Sequence, residues 1–239
     1  MKTSKVYVSK IEVTYTQSVP LVNITGADVT DALLAENNGK TVNATVARTL
    51  VADGGWYTLC LPFDVSDLSP LKGAEIRKFK SMDGMTMNFE EATQLKAGHA
   101  YLVKPIETIE NPIFKNVVIN NTECSDGENG YLFVGTFVKK ELETNGTNLF
   151  LGDENKFFTP TADDCSMFGL RGYFVVPEGT NASKMNVALD DETTNIGSLE
   201  HRDIRQSEVY NLFGQKMHKK SGVLSRGVYI INGKKFIIK

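Results

Sequence analysis

The stretch Gly98-His99-Ala100-Tyr101-Leu102-Val103-Lys104-Pro105 places a short apolar run between a glycine and a proline. A run bounded in this way is typical of a β-strand, here over residues 100–104. The same pattern recurs from residue 41 to residue 176, with Gly, Pro, Asn and Asp between the runs. The other predicted strands are Thr41–Leu50, Trp56–Leu61, Glu75–Lys80, Met85–Phe89, Phe114–Asn120, Gly130–Val138, Leu149–Leu151, Lys156–Phe158 and Gly172–Val176.

One segment has the features of a helix. It runs from Asp28 to Asn37, with Asp28 or Thr25 as the N-cap and Asn37-Asn38-Gly39 as the stop signal. Many short strands, a single helix and no strand–helix alternation predict an all-β fold. We therefore expect an antiparallel β-sandwich with one short helix, followed by a small C-terminal β unit. The chain shows no fixed-period repeat of the kind that indicates a solenoid or a propeller.

Four regions follow from this pattern. Residues 18–189 form the sandwich-like domain, and the polar segment 190–207 is a linker to a small β module at 208–239. Residues 1–17 contain an alternating strand, Lys5–Tyr15, which is either the first strand of this domain or the last strand of an upstream module.

The C-terminal module contains a hairpin. Asn232-Gly233 separates two apolar runs, and a type I′ turn needs positive φ at both central residues, which Asn and Gly adopt most easily. Two further short strands are predicted, at Glu208–Leu212 and Lys216–His218. The hairpin register pairs Ile231 with Lys234, Ile230 with Lys235, Tyr229 with Phe236 and Val228 with Ile237. A unit this small cannot hold a large core of its own.

The same region is basic, whereas the chain as a whole is acidic. Residues 201–239 hold nine Lys and Arg against two Asp and Glu, while the formal net charge of the chain is −3. Basic patches bind nucleic acid or anionic lipid, but no aromatic stacking platform accompanies these charges. We interpret the lysines as solubilising residues that protect strand edges, and we expect no nucleic-acid partner.

Two strings, Val209–Met217 and Gly227–Lys239, resemble the short C-terminal module of secreted Bacteroidetes surface proteins. That module is similar to the C-terminal sorting domains of the type IX secretion system, although it is shorter than a full sorting domain. Further strings of the main domain resemble the same group of proteins. They are Gly39–Asn43, Arg48–Leu50, Gly55–Phe63, Ala97–Pro105 and Phe168–Phe174.

The resemblance implies a surface role, because these proteins are often described as cell-adhesion proteins. It also favours an upstream origin for the strand in residues 1–17. Met1–Val8 has no apolar core of a signal peptide, so we expect a leader that was removed or lies upstream. No apolar run is long enough to span a bilayer. The expected location is extracellular or at the cell surface.

Histidines and cysteines provide no recognisable reactive site. His99, His201 and His218 occur singly, without metal-ligand spacing, and a lone His99 beside a glycine is most often packed or hydrogen-bonded. Three cysteines leave at least one unpaired. Cys60, in an apolar strand, is expected to be a buried thiol, and Cys124 and Cys165 are left open as either a disulfide or two free thiols.

Acidic residues in three segments supply the hard oxygens that calcium prefers. They are Asp126, Glu128 and Asn129, then Asp153 and Glu154, then Asp163 and Asp164. None has the spacing of an EF-hand, so solvated loops are the favoured interpretation, and calcium stays the alternative.

Aromatic residues occur in three adjacent pairs, Trp56-Tyr57, Phe157-Phe158 and Tyr173-Phe174. Neighbours in a strand point to opposite faces, so a one-sided core buries one member of each pair. Trp56 and Phe174 are the expected core members. Exposed aromatics would instead stack on sugar rings. Arg171 is considered as a buried ion-pair partner and is not assigned to a site.

The sequence predicts no catalytic, cofactor-binding or metal-binding residues and leaves the ligand-binding residues unknown. The expected function is a non-catalytic adhesion or interaction module whose partner is a protein or a glycan at the cell surface. The alternative is a carbohydrate-binding module of a surface glycan-utilisation protein. A hydrolase is a third hypothesis, and it would need two carboxylates about 5–10 Å apart in a cleft.

Overall fold

The computed structural model describes residues 18–27, 30–152 and 156–189, together with the backbone of C-terminal strands at 209–211, 227–231 and 234–238. Its described helix, α1, spans Thr30–Asn37. The strands of the main domain are β1 (Leu21–Ile24), β2 (Thr41–Val46), β3 (Thr49–Leu50), β4 (Tyr57–Cys60), β5 (Glu75–Asp83), β6 (Thr86–Glu91), β7 (Ala100–Lys104), β8 (Ile109–Glu110), β9 (Ile113–Val118), β10 (Ser125–Glu128), β11 (Tyr131–Thr136), β12 (Lys140–Glu141), β13 (Asn148–Leu151), β14 (Phe157–Phe158), β15 (Ser166–Met167), β16 (Arg171–Val175) and β17 (Asn186–Leu189).

These strands form three main sheets and two small ladders. The central sheet has the order β17-β6-β5-β7-β4, and the second sheet has the order β10-β11-β16-β13-β14. A third sheet, β1-β2-β9, is smaller, and β3-β8 and β12-β15 pair separately. Most pairs are antiparallel, but β1 runs parallel to β2 and β17 runs parallel to β6. These two parallel pairs depart from the purely antiparallel arrangement that the sequence predicted.

One core lies between the central and second sheets. Phe89 and Leu102 of the central sheet share a buried cluster with Phe133 and Phe174 of the second sheet. The Phe89 and Phe133 rings meet edge to face with centroids 5.5 Å apart, and Phe133 stacks on Phe174 at 4.6 Å. Such aromatic pairs add specific geometry to the burial of apolar area. The two sheets therefore form the predicted sandwich-like arrangement.

A second core covers the opposite face of the central sheet. Tyr101 and Val103 of β7 are buried there with Val42 and Phe114 of the third sheet and with Leu34 of α1. Because alternate residues of a strand point to opposite faces, β7 supplies Ala100 and Leu102 to one core and Tyr101 and Val103 to the other. The main domain thus has three layers of sheet, with β7 buried on both faces.

The structure confirms the all-β prediction. Each main-domain segment predicted as a strand contains a strand, with shifts of one to three residues at most ends, but Thr41–Leu50 is divided into β2 and β3, which belong to different sheets. Strands β1, β8, β10, β12, β15 and β17 were not predicted. The helix was predicted from Asp28 and is described from Thr30. Thr25 Oγ1 accepts a hydrogen bond from the Ala27 N–H at 3.3 Å, and Gly39 follows the helix with a φ of +76°.

The C-terminal strands have the predicted pairing. β18 (Val209–Asn211), β19 (Gly227–Ile231) and β20 (Lys234–Ile238) form an antiparallel sheet in the order β18-β19-β20. Tyr229 pairs with Phe236 and Ile231 with Lys234, as expected for a two-residue turn. The turn itself, the predicted strand Lys216–His218, the linker 190–207 and the strand in residues 1–17 lie outside the described residues.

The cysteines are all free thiols. Cys60 is buried, as predicted, and burial raises the pKa of its thiol. The disulfide alternative for Cys124 and Cys165 is wrong, because the two residues lie in different environments. Cys124 Sγ contacts the carbonyl oxygens of Ala97 and Thr122, whereas Cys165 Sγ donates to Glu141 at 3.2 Å.

Candidate functional site

A buried arginine joins three distant segments at one edge of the sandwich. Arg48 lies between β2 and β3, and only 8% of its surface is exposed. Its Nη1 donates hydrogen bonds to the carbonyl oxygens of Thr58 and Leu170, the latter at 2.6 Å. The Cys60 N–H donates to the same Leu170 oxygen at 3.2 Å. The start of β16 is thereby held against β4, an edge strand of the central sheet.

Two nitrogens of this guanidinium have no hydrogen-bond partner among the described residues. Nε and Nη2 of Arg48 are buried and make no hydrogen bond in the structure. An unpaired buried polar group typically costs about 1–3 kcal/mol, and more when it is charged. Groups of this kind are uncommon in folded proteins and call for a specific explanation. Because neither nitrogen is accessible to solvent, the positive charge of Arg48 is only partly compensated by its two carbonyl partners.

A second arginine lies beside the first. Arg171 begins β16, is half-buried and forms no ion pair with a carboxylate of the described residues. Burial lowers the pKa of Arg171. Burial, and then the positive charge of Arg171, lowers the pKa of Arg48 to about 9. Both groups are cationic at neutral pH, so the pair forms a local concentration of positive charge. The ion pair considered for Arg171 is not formed with any carboxylate of the described residues, and Asp153 and Glu154 lie outside them.

The two arginines line a cavity of about 540 Å³. Its other lining residues are Asp53, Gly54, Gly55, Trp56, Tyr57, Thr58, Leu151 and Gly152. The Asp53 carboxylate accepts hydrogen bonds from the Tyr57 hydroxyl at 2.6 Å and the Gly55 N–H at 2.8 Å. These bonds lower the pKa of Asp53, whereas burial and the Asp53 bond raise the pKa of Tyr57. One wall therefore carries an ionised carboxylate and a protonated phenol.

A second cavity, of about 250 Å³, continues from the first and shares Thr58, Leu151 and Arg171 with it. Two aromatic residues line it. Phe150 stacks on Phe158 with ring centroids 5.7 Å apart, and Phe168 is 59% exposed. We call the two cavities together the arginine cleft. It combines cationic donors, a few polar groups and exposed apolar rings, which is the composition typical of a ligand-binding site.

The aromatic residues of the sequence occupy both kinds of environment. Trp56 and Phe174 are buried, as predicted, and the Trp56 ring is flanked by the cations of Arg77 and Lys104, each 5.8 Å from its centroid. Phe158 is 43% exposed while its neighbour Phe157 is buried, which fits the expectation that a one-sided core buries one member of each adjacent pair. That expectation is wrong for Tyr173 and Phe174, since both are buried. The sheet is covered on both faces here, with Lys140 Nζ lying 5.7 Å from the Tyr173 ring centre.

His99 is hydrogen-bonded, as expected for a lone histidine. Its Nδ1 lies 2.8 Å from a carboxylate oxygen of Asp126. Asp126 and Glu128 belong to β10 and not to a loop, and Glu128 accepts a hydrogen bond from the Met82 N–H. In the described part of the chain, no three His, Cys, Asp or Glu side chains are grouped as metal ligands. Asp153, Glu154, His201 and His218 lie outside the described residues.

Sequence pattern did not identify Arg48 as a site residue. The available signal was a charged residue inside the predicted strand Thr41–Leu50, where the neighbouring positions are apolar or small. Buried arginines usually have a partner, so this position called for one. Its partner carbonyls, however, come from Thr58 and from Leu170, which is 122 positions away, and local sequence does not reveal such a contact.

No described helix has the length and apolar character needed to cross a bilayer. Comparisons with family models, with curated proteins and with solved structures found no significant match to this chain.

Proposed function

We propose that this chain is a non-catalytic interaction module of a cell-surface or secreted protein. In this proposal the main domain binds a ligand through the arginine cleft, and the C-terminal unit acts in sorting or attachment. The observation that carries the binding role is that two guanidinium side chains, Arg48 and Arg171, line one open cavity. The surface location rests on the resemblance of the C-terminal strings.

Carbohydrate binding is the second candidate, and the exposed rings favour it. Phe168 is 59% exposed and Phe158 is 43% exposed, and both belong to the surroundings of the cleft. Folded proteins expose single apolar residues routinely, but aromatic rings beside a polar cleft offer flat apolar faces on which sugar rings pack. A surface glycan is accordingly the ligand class that we favour.

Location is tested by fractionating cells that express the native gene. An antibody against the main domain should detect the protein in the envelope or the medium, and a cytoplasmic enzyme serves as the fractionation control. Detection in the cytoplasm alone would contradict the surface proposal. A gene truncated after residue 207 should change the distribution between envelope and medium if the C-terminal unit acts in sorting or attachment.

Binding is tested with the purified chain on an array of bacterial, plant and host glycans. The proposal expects saturable binding to at least one glycan class, with the glycan recovered intact after prolonged incubation. Release of shorter products would contradict the non-catalytic assignment and support the hydrolase hypothesis. An array without any signal would overturn the carbohydrate candidate but not the adhesion proposal, which a protein ligand satisfies equally.

A further inference from the structure

We propose that the arginine cleft binds the carboxylate of an acidic sugar, namely a hexuronate residue within a polysaccharide. This inference rests on the carbohydrate candidate described above and specifies its substrate class. The hexuronate carboxylate would accept hydrogen bonds from Arg171, beside the positive charge of Arg48, and the neighbouring sugar ring would lie against the exposed aromatic rings.

The two guanidinium groups of the cleft, and not its net charge, call for an anion, because Asp53 and Asp164 formally balance Arg48 and Arg171. Arg48 and Arg171 both line the larger cavity, and neither forms an ion pair with a carboxylate of the described residues. The planar guanidinium fork matches a carboxylate or a phosphate, because two parallel N–H donors meet two oxygens. Arg171 is the accessible member of the pair, since it is only half-buried and also lines the smaller cavity.

The carboxylates of the cleft limit how much negative charge the ligand carries. Asp53 lines the larger cavity and Asp164 lines the smaller one. A polyanion with a charge on every unit, such as nucleic acid or a heavily sulfated glycan, would place negative groups near both aspartates. Like charges that share one cleft repel. One anionic group between two aspartates fits better, with the rest of the ligand neutral.

The remaining polar groups suit a ligand rich in hydroxyls. Asp53 uses its carboxylate to accept bonds from Tyr57 and Gly55, and a carboxylate has further lone pairs for hydroxyl donors. The larger cavity, of about 540 Å³, lies within the range of small-ligand sites. Phe168 and Phe150 line the smaller cavity next to Arg171. Carboxylate, hydroxyls and a flat ring face together describe a hexuronate and its neighbouring sugar.

Isothermal titration tests the proposal with defined probes. Tri-galacturonate and glucuronate-containing oligosaccharides are the acidic probes, and their methyl esters, which have no charge, are the matched neutral probes. A heparin-derived tetrasaccharide represents the polyanions. The wild-type chain should bind at least one hexuronate probe more tightly than its ester and more tightly than the heparin fragment.

Variants of Arg171 assign the binding to the cleft. R171A should weaken hexuronate binding about 10- to 100-fold, the loss expected when charge-assisted hydrogen bonds are removed. R171K should lie between the wild type and R171A, because lysine keeps the charge but not the fork. The matched control is K115A, which removes an exposed charge outside the cleft and should change nothing. Unchanged thermal melting of R171A shows that its fold is intact.

The outcomes distinguish failure of the acidic-sugar inference from failure of the carbohydrate-binding candidate. Equal binding of a hexuronate and its ester, or unchanged binding by R171A, overturns the acidic-sugar inference and leaves the carbohydrate candidate standing. Binding of neutral glycans alone would also overturn the acidic-sugar inference and leave the carbohydrate candidate standing. No binding of any sugar overturns both, whereas the surface location continues to depend on the fractionation experiment.

Discussion

Nη1 of Arg48 donates a hydrogen bond of 2.6 Å to the carbonyl oxygen of Leu170, which lies 122 positions further along the chain. Leu170 has a φ of +59°, a left-handed conformation that is uncommon for a leucine and costs backbone energy. Its oxygen also accepts the Cys60 N–H. The contact therefore serves two purposes, since it joins β16 to the edge of the central sheet and places Arg171, the next residue, in the cleft.

Removing this contact should destabilise the fold. We expect R48A to lower the free energy of unfolding by about 2–4 kcal/mol, because it creates a cavity and leaves two carbonyl oxygens without the arginine donor. Chemical denaturation of the wild type and R48A measures the difference. K40A, which removes an exposed positive charge, is the control and should stay within about 0.5 kcal/mol of the wild type. Equal stability of R48A and K40A would show that the hydrogen bonds of Arg48 do not stabilise the fold.

The sequence pattern predicted most strands but not the cleft. Strands depend largely on residues close together in sequence, whereas the cleft depends on residues far apart. Strand β7 was predicted with its observed bounds, Ala100–Lys104. Its apolar run and the flanking Gly and Pro determine its conformation and its ends through contacts between near neighbours in sequence. Strand β10 (Ser125–Glu128) was missed, since Ser, Asp, Gly and Glu have low strand propensity and only pairing with β11 extends them. The parallel partner of β6, strand β17, is also set by a distant pairing.

The candidate site depends still more on long-range contacts. Arg48 and Arg171 come together only because β4, the edge strand of the central sheet, meets β16, the middle strand of the second sheet. The sequence left Arg48 unassigned and gave Arg171 only as a possible ion-pair partner. That neither has a carboxylate partner among the described residues, and that both line one cavity, follows from tertiary structure alone.

Close approach of the two sheets makes one glycine position intolerant of a side chain. Gly135 pairs with Gly172 across β11 and β16, and a Cβ on Gly135 would lie 2.3 Å from the Gly98 oxygen and 2.5 Å from Cys60 Sγ. We expect G135A to destabilise the protein by about 3 kcal/mol or more, or to prevent folding, because backbone and a buried thiol cannot move aside cheaply.

The control for that substitution is Gly179, which has a φ of +80° and nothing within 4 Å of an added Cβ. G179A introduces backbone strain without a clash, so it should cost only about 1 kcal/mol. Thermal melts of the two variants measured side by side make the comparison. Equal losses would mean that the sheets are not packed as closely as the structure indicates.

The cysteines provide a chemical test of the fold. In the native state a thiol-reactive dye should label Cys124 and Cys165, which are partly exposed, and should spare the buried Cys60. Labelling of Cys165 should be slow at neutral pH, because its hydrogen bond to Glu141 raises the pKa of the thiol and reduces the thiolate fraction. Denatured protein should label at all three positions. An intact mass that showed a Cys124–Cys165 disulfide in the native chain would contradict this structure.

Acid should weaken one loop contact in a predictable direction. The Asp64 carboxylate accepts hydrogen bonds from Lys96 Nζ at 2.7 Å and from the Ala97 N–H at 2.9 Å, and these bonds lower its pKa. A lowered pKa in the folded state means that the contribution is complete above the unfolded value of 3.8 and is lost as pH falls through the folded pKa.

The D64N variant measures that contribution. Since the Asp64 side chain is 59% exposed, the contribution should be small, about 0.5–1 kcal/mol near pH 6. The difference in unfolding free energy between the wild type and D64N should shrink toward zero as the pH falls below about 3. A difference that stays constant from pH 6 to pH 2.5 would show that the carboxylate charge has no part in it.

Selectivity against polyanions should depend on Asp53. Its carboxylate lines the larger cavity and is held in place by Tyr57 and Gly55, and asparagine is close enough in shape to keep an accepting oxygen there while removing the charge. We expect D53N to bind a heparin-derived tetrasaccharide several-fold more tightly than the wild type in 20 mM salt, with the gain reduced in 150 mM salt by screening. The matched control, D83N, removes an exposed carboxylate from β5 and should give no gain. Equal affinities of D53N and D83N would mean that the aspartate does not restrict the ligand to a single negative charge, and the preference for a hexuronate would then need to come from the guanidinium pair alone.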